Sequence, residues 1–249
     1  MKPRRAGKLL WVSGLECLNA RLDPFSTFST LLERGANPQL EDEFGHTAWL
    51  VALNRAMEDA EFARRSIAAL FERIAPHVLD VQVDMRLVRL ERHQGEYWVL
   101  NLMLAGFNIL RTRCVEHSHP HYKYEVGFFA ESLQTALECL PEHLWKTQRR
   151  KRSYVNAVLA RGEALSQYQP ARRLWVRTEI GHYLPNPLLQ LRTHSSEGPD
   201  WRPLFQVLNL PWMDAGTRRS ESRMQKSLEI LVERAKHRVT TGEDVPEVF

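Results

Sequence analysis

The segment Leu31 to Leu53, LLERGANPQLEDEFGHTAWLVAL, constrains this chain more than any other. Phe25, Phe28, Leu31 and Leu32 recur at the spacing of one apolar helix face. Gly35 follows, and a glycine just past the last apolar position stops a helix because it accepts a left-handed backbone without a Cβ clash. Ala36-Asn37-Pro38 forbids continuation, since the residue before proline is driven to extended geometry. Asp42 to Gly45 is polar and turn-rich, and Thr47 is placed to cap a new helix from Ala48, with Trp49, Leu50, Ala52 and Leu53 on one side.

This order of helix stop, extended turn and capped helix resembles an ankyrin-repeat junction. The resemblance rests on Leu31-Leu32-x-x-Gly35-Ala36-Asn37, Asp42 and Gly45-x-Thr47. It departs at Ala48, where the family usually has proline, and at Val51, where histidine is usual. Around it, Gly14 to Arg34 can supply a helix pair, Ser66 to Ile74 an outer helix, and Tyr97 to Met103 the inner helix of a further copy. The 50 positions from Gly45 to Gly95 exceed the family period of about 33, so the repeats are expected to be irregular. The resemblance implies a protein partner, met through a turn tip and inner-helix face containing Asn37, Glu41, Asp42, Phe44 and Trp49.

The 249 residues suit one or two domains, and a 43% hydrophobic share can fill a core. There is no apolar run of about 18 residues, so no membrane span is expected. The basic start MKPRRAGKLL reads as a lead-in to a helix rather than a signal peptide. Cys17, Cys114 and Cys139 are odd in number and far apart, which points to a reducing, cytoplasmic setting rather than a disulfide framework.

Charge is unevenly placed. Residues 1–142 carry 16 Lys+Arg against 19 Asp+Glu, while residues 143–249 carry 18 against 11. Within the second part, residues 143–192 hold ten basic groups and only Glu163 and Glu179. Two regions follow: 1–125, helical and ankyrin-like, and 126–249, an α+β region. In the latter, helices are expected over Gly127 to Trp145 and over Ser153 to Leu165, with Ser153 as cap. Leu174-Trp175-Val176 and Tyr183-Leu184 read as two extended runs joined through Thr178 to Gly181. Two helices followed by strand, turn and strand outline a winged-helix module. Thr193 to Pro199 reads as a loop, Arg218 to Arg238 as a helix, and Val239 to Phe249 as a loose tail. The fold class expected is therefore mainly α, with strands confined to the second region.

Function divides between two readings. The first is a non-catalytic interaction protein that binds a protein partner through the ankyrin-like part. The alternative is a nucleic-acid-binding regulatory protein using residues 149–192. There Arg149, Arg150, Lys151 and Arg152 precede a helix start, and Arg172, Arg173 and Arg177 interleave with Trp175 and Tyr183, the mixture suited to phosphates and bases. Cys114, His117, His119 and His121 are ligands a transition metal accepts, but no second ligand pair accompanies them, and a solvated loop is expected. Asp80 and Asp84 are a weak candidate for paired carboxylates. No Gly-rich phosphate loop, GxSxG or HExxH is present, so neither enzyme activity nor a cofactor is expected. The residues fix no oligomeric state.

Overall fold

The computed structural model describes residues 24–41, 46–106, 127–179, 181–195, 198–207 and 233–242. Helix α1, Pro24–Glu33, ends as its sequence requires. Gly35 takes φ +81°, its N–H reaches the Leu32 carbonyl at 2.9 Å, and the Ala36 N–H reaches that of Leu31 at 3.0 Å. Those paired bonds are the Schellman closure of a helix, sealed by the buried contact pair Leu31 and Ala36. Helix α2, Ala48–Glu58, begins at Thr47, whose hydroxyl accepts from the Leu50 N–H at 3.4 Å. Asp59 then ends α2 and starts helix α3, Ala60–Ile74, accepting from the Glu61 and Phe62 N–H groups at 3.0 Å each.

The first region is not wholly helical. Strands β1, Val78–Val83, and β2, Arg86–Glu91, form an antiparallel hairpin with Val83 opposite Arg86. The link is Asp84-Met85, at φ 49° and 62°, two left-handed residues that match the strand twist. Helix α4, Gly95–Ala105, follows and is buried along its whole length. Arg92 closes the end of α3: its guanidinium donates to the carbonyls of Phe71, Ala75 and Pro76 and lies 4.5 Å from the Phe71 ring centroid.

The second region opens with a two-residue strand β3, Phe128–Phe129, and helix α5, Ala130–Glu138, shorter than the expected 127–145. A 3-10 turn, Thr147–Arg149, precedes helix α6, Arg152–Gly162. Strands β4, Trp175–Glu179, and β5, His182–Pro185, pair antiparallel, and β3 joins the other edge of β5, giving the order β3-β5-β4. Helices α4, α5 and α6 pack against one another, and α4 also touches β5.

Residues 193–195 and 198–199, expected to be a loop, belong instead to another antiparallel strand pair. Strand β6, Gln190–Ser195, pairs with β7, Gly198–Pro203, and also with β1, giving a sheet of order β2-β1-β6-β7. Pro199 and Pro203 are tolerated because β7 is an edge. A short helix α7, Leu204–Val207, follows, and residues 233–241 are helical, so the helix runs past the expected end at Arg238. Residues 218–232 of that expected helix lie outside the described residues. The architecture is thus a mixture of helices and antiparallel sheets, with strands in both regions. No helix among the described residues is long and apolar enough to cross a membrane.

One apolar core joins all of this. Its spine is aromatic. Trp49 of α2 meets Trp98 of α4 edge-on at 6.1 Å, and Trp98 stacks on Phe71 of α3 at 4.9 Å. Trp98 also meets Trp145 at 6.2 Å, which in turn meets Tyr154 of α6 at 5.7 Å.

Candidate functional site

The first candidate surface is the turn after α1. Asn37 is exposed, and its side-chain oxygen accepts from the Gln39 N–H at 3.0 Å, bending the chain back on itself. Glu41 is half-buried, while Asp42 and Phe44 lie outside the described residues. Trp49 presents no exposed surface of its own, although it lines a cavity beside this turn. It is fully buried, and its indole N–H donates to Asn101 Oδ1 at 3.1 Å. The second residue of α2 faces α4, not solvent, so the expectation that Trp49 contacts a partner is corrected by its packing. That cavity, of about 160 Å³, has its polar lining supplied by Gln39, Glu41, Thr47, Asp80, Asn101 and Arg192. Asn101, buried and bonded also to the Tyr97 carbonyl at 2.8 Å, fixes the cavity wall. The sequence offered only a polar interruption in an apolar run as a signal for it.

The second candidate is the arginine-rich segment, and most of its guanidinium groups are already engaged. Arg161 and Arg172 lie 3.5 and 3.8 Å from Glu96, a buried carboxylate in the first turn of α4. Arg172 also donates to Gln94 Oε1 at 2.9 Å. Arg173 meets Asp84 at 2.6 Å, Arg177 meets Glu163 at 3.6 Å, Arg152 meets Glu131 at 3.6 Å, and Arg192 meets Asp80 at 3.7 Å. Arg149 donates to the His93 carbonyl at 2.5 Å with its guanidinium 5.7 Å from both the Trp145 and Tyr154 rings. Arg150 binds the carbonyls of Leu140 at 2.8 Å and Trp145 at 3.4 Å. Among the described residues, Lys146 and Lys151 are exposed and enter no ion pair.

Asp80 and Asp84 are not a catalytic pair. Asp80 is held by Arg89 through two bonds of 2.9 and 3.1 Å, and Asp84 sits apart in the hairpin turn. The hydrogen bond to Asp80, and then its charge, raise the pKa of Arg89.

Trp175 and Tyr183 do not lie beside the arginines on an open face, as was expected. Trp175 is fully buried and donates to the Leu159 carbonyl at 2.7 Å. Gly162 allows this, because a Cβ there would come within 2.2 Å of the Trp175 ring. Tyr183 is buried too, and burial, then the nearby Glu163 carboxylate, raises its hydroxyl pKa. Both residues are covered within a small sheet whose strand β5 is buried on both faces, so neither can stack on a base.

What remains on the surface is α6. It starts at Arg152 with Lys151 in the cap position and no side-chain cap, so Ser153, expected to cap, lies in the first turn and is exposed. Val155, Val158, Leu159 and Gly162 face inward. Arg152, Ser153, Asn156 and Ala157 are exposed on the other side. The helix sits close to α4 because Gly95 has no side chain; a Cβ there would come within 2.6 Å of Val158 Cγ2. Cys114, His117, His119 and His121 lie outside the described residues, and among the described residues no group of three His, Cys, Asp or Glu side chains is placed to hold a metal ion. Comparison with protein-family models, with curated proteins and with solved structures finds no match to this chain.

Proposed function

We propose that this protein binds nucleic acid through its second region, with a binding rather than a catalytic role. The observation that carries the reading is the order of the described elements within residues 95–106 and 127–185. A helix, a short strand, two helices and a strand pair are laid out with the sheet order β3-β5-β4. That order supports a winged-helix reading, in which the last helix before the strand pair is the reading helix. Here it is α6, whose inner face is buried and whose outer face is exposed. Residues 143–162 around it carry Lys146, Arg149, Arg150, Lys151, Arg152 and Arg161 and no Asp or Glu. The arginine ion pairs weigh against a large phosphate footprint, because Glu96, Glu163 and Asp80 are largely buried and would be left uncompensated. Only pairs exposed on both sides, Arg152 with Glu131 and Arg173 with Asp84, are worth about 0–1 kcal/mol and exchange readily for phosphate. Lys146 and Lys151 need no exchange.

The test is fluorescence anisotropy with mixed-sequence duplex at two salt concentrations. Neutralising about four phosphates predicts a loss of about a hundredfold between about 50 and 200 mM salt. Lys146→Ala with Lys151→Ala should weaken binding and flatten that dependence. These are better probes than Arg149 or Arg150, whose guanidinium groups hold backbone carbonyls. No binding at low salt would sink the proposal.

The second reading, a protein partner for the ankyrin-like part, is favoured by the cavity beside the exposed Asn37 turn. Substituting Asn37 and Glu41 should then release a captured partner while leaving nucleic-acid binding alone. Either role fits the reducing cytoplasm that the scattered cysteines suggest.

A further inference from the structure

The outer face of α6 has a composition of its own. Arg152, Ser153, Asn156 and Ala157 are exposed at i, i+1, i+4 and i+5, the positions that share one side of a helix. Asn156 alone among them carries a planar amide, with a donor and an acceptor side by side. Its neighbours Ser153 and Ala157 are small, while Arg152, one turn earlier on the same side, places a long basic side chain next to it. Residues 143–162 carry six Lys and Arg and no Asp or Glu, although Glu131 of α5 lies 3.6 Å from Arg152 on this face.

We infer that Asn156 is a specificity-determining residue that reads an adenine edge in the major groove of B-form DNA. This rests on the nucleic-acid reading above and narrows it in two ways. The first is the duplex type. The major groove of B-DNA, about 12 Å wide, admits a helix, whereas that of A-form RNA is too deep and narrow. The second is the base. Asn156 Nδ2 donates to adenine N7 while Oδ1 accepts from the N6 amino group, a pairing no other base presents in that groove. The Ala157 methyl is suited to the apolar contact that a thymine methyl makes.

The experiment is selection from a randomised duplex DNA library by the full-length protein. The wild-type chain should enrich a motif in which one A·T pair is preferred about tenfold or more over G·C. Asn156→Ala should retain salt-dependent binding and lose the preference at that pair alone. Asn156→Arg should move it toward G·C, since arginine pairs with guanine N7 and O6. Asn156 is exposed, so both variants should melt with the wild type, which separates lost reading from lost fold. An unchanged motif from Asn156→Ala, binding without any motif, or equal competition by duplex RNA would overturn the inference and leave the broader reading intact. Failure of the wild type to retain any duplex at low salt would overturn both.

Discussion

Two glycines show how differently the same substitution acts at two places. At Gly35 the backbone is left-handed at φ +81°, and nothing lies within 4 Å of a built Cβ. Gly35→Ala therefore meets only the intrinsic cost of that conformation, about 1–2 kcal/mol. At Gly162 the obstacle is steric. The Trp175 ring occupies the space, is fully buried, and is tied by its N–H to the Leu159 carbonyl, so it cannot swing aside. Gly162→Ala should cost about 2–3 kcal/mol or distort α6 against β4. Urea unfolding of both variants would check the order. A Gly162→Ala variant as stable as wild type would show that Trp175 has room to move.

Among elements, the junction of α2 and α3 depends on one carboxylate. Asp59 accepts from two N–H groups at the start of α3, and these bonds, with help from Arg55, lower its pKa below the ordinary 3.8. A lowered folded pKa means stability that is present above the unfolded value and disappears as pH falls through the folded one. Asp59→Ala should melt below the wild type near neutral pH, and the gap should close in acid. A gap that persists in strong acid, where the carboxyl is protonated in both states, would assign the effect to packing instead. This element also shows what the chain makes legible. The α1 stop and α2 start were readable because Gly35 and Thr47 are local signals, satisfied by backbone groups one turn away. The β1–β2 hairpin was hidden because its turn is Asp84-Met85, without the glycine that usually marks two left-handed residues. The β6–β7 pair was hidden because Ser, Gly and Pro suggest a loop, whereas an edge strand tolerates them. In the candidate site, the charge of the segment was legible, but not its partners. Glu96 lies 65 residues from Arg161 and 76 from Arg172 in the chain, and only the fold brings them together.

At the scale of the whole molecule, the boundary expected near residue 125 is crossed by three kinds of contact. Strand β1 pairs with β6. The aromatic spine runs from Trp49 to Tyr154 without a break. Arg161, Arg172, Arg173 and Arg192 reach back to Glu96, Asp84 and Asp80. The Arg173–Asp84 pair is exposed on both sides and worth little, and the largely buried Asp80 adds modestly, so the sheet and the aromatic packing must supply most of the coupling. Glu96 is the exception, being buried. Glu96→Gln leaves two partly exposed arginines without their carboxylate and should cost about 1–2 kcal/mol. If the two regions fold as one, that loss should lower a single melting transition rather than split it. Far-UV dichroism and tryptophan fluorescence suit the measurement, because Trp49 and Trp98 report on one side of the boundary and Trp145 and Trp175 on the other. Coincident curves in both chains would mean that a ligand seated on α6 is felt at the Asn37 turn as added global stability. Separate transitions in the wild type would mean that β1–β6 pairing is too weak to couple them, and that the two surfaces act independently.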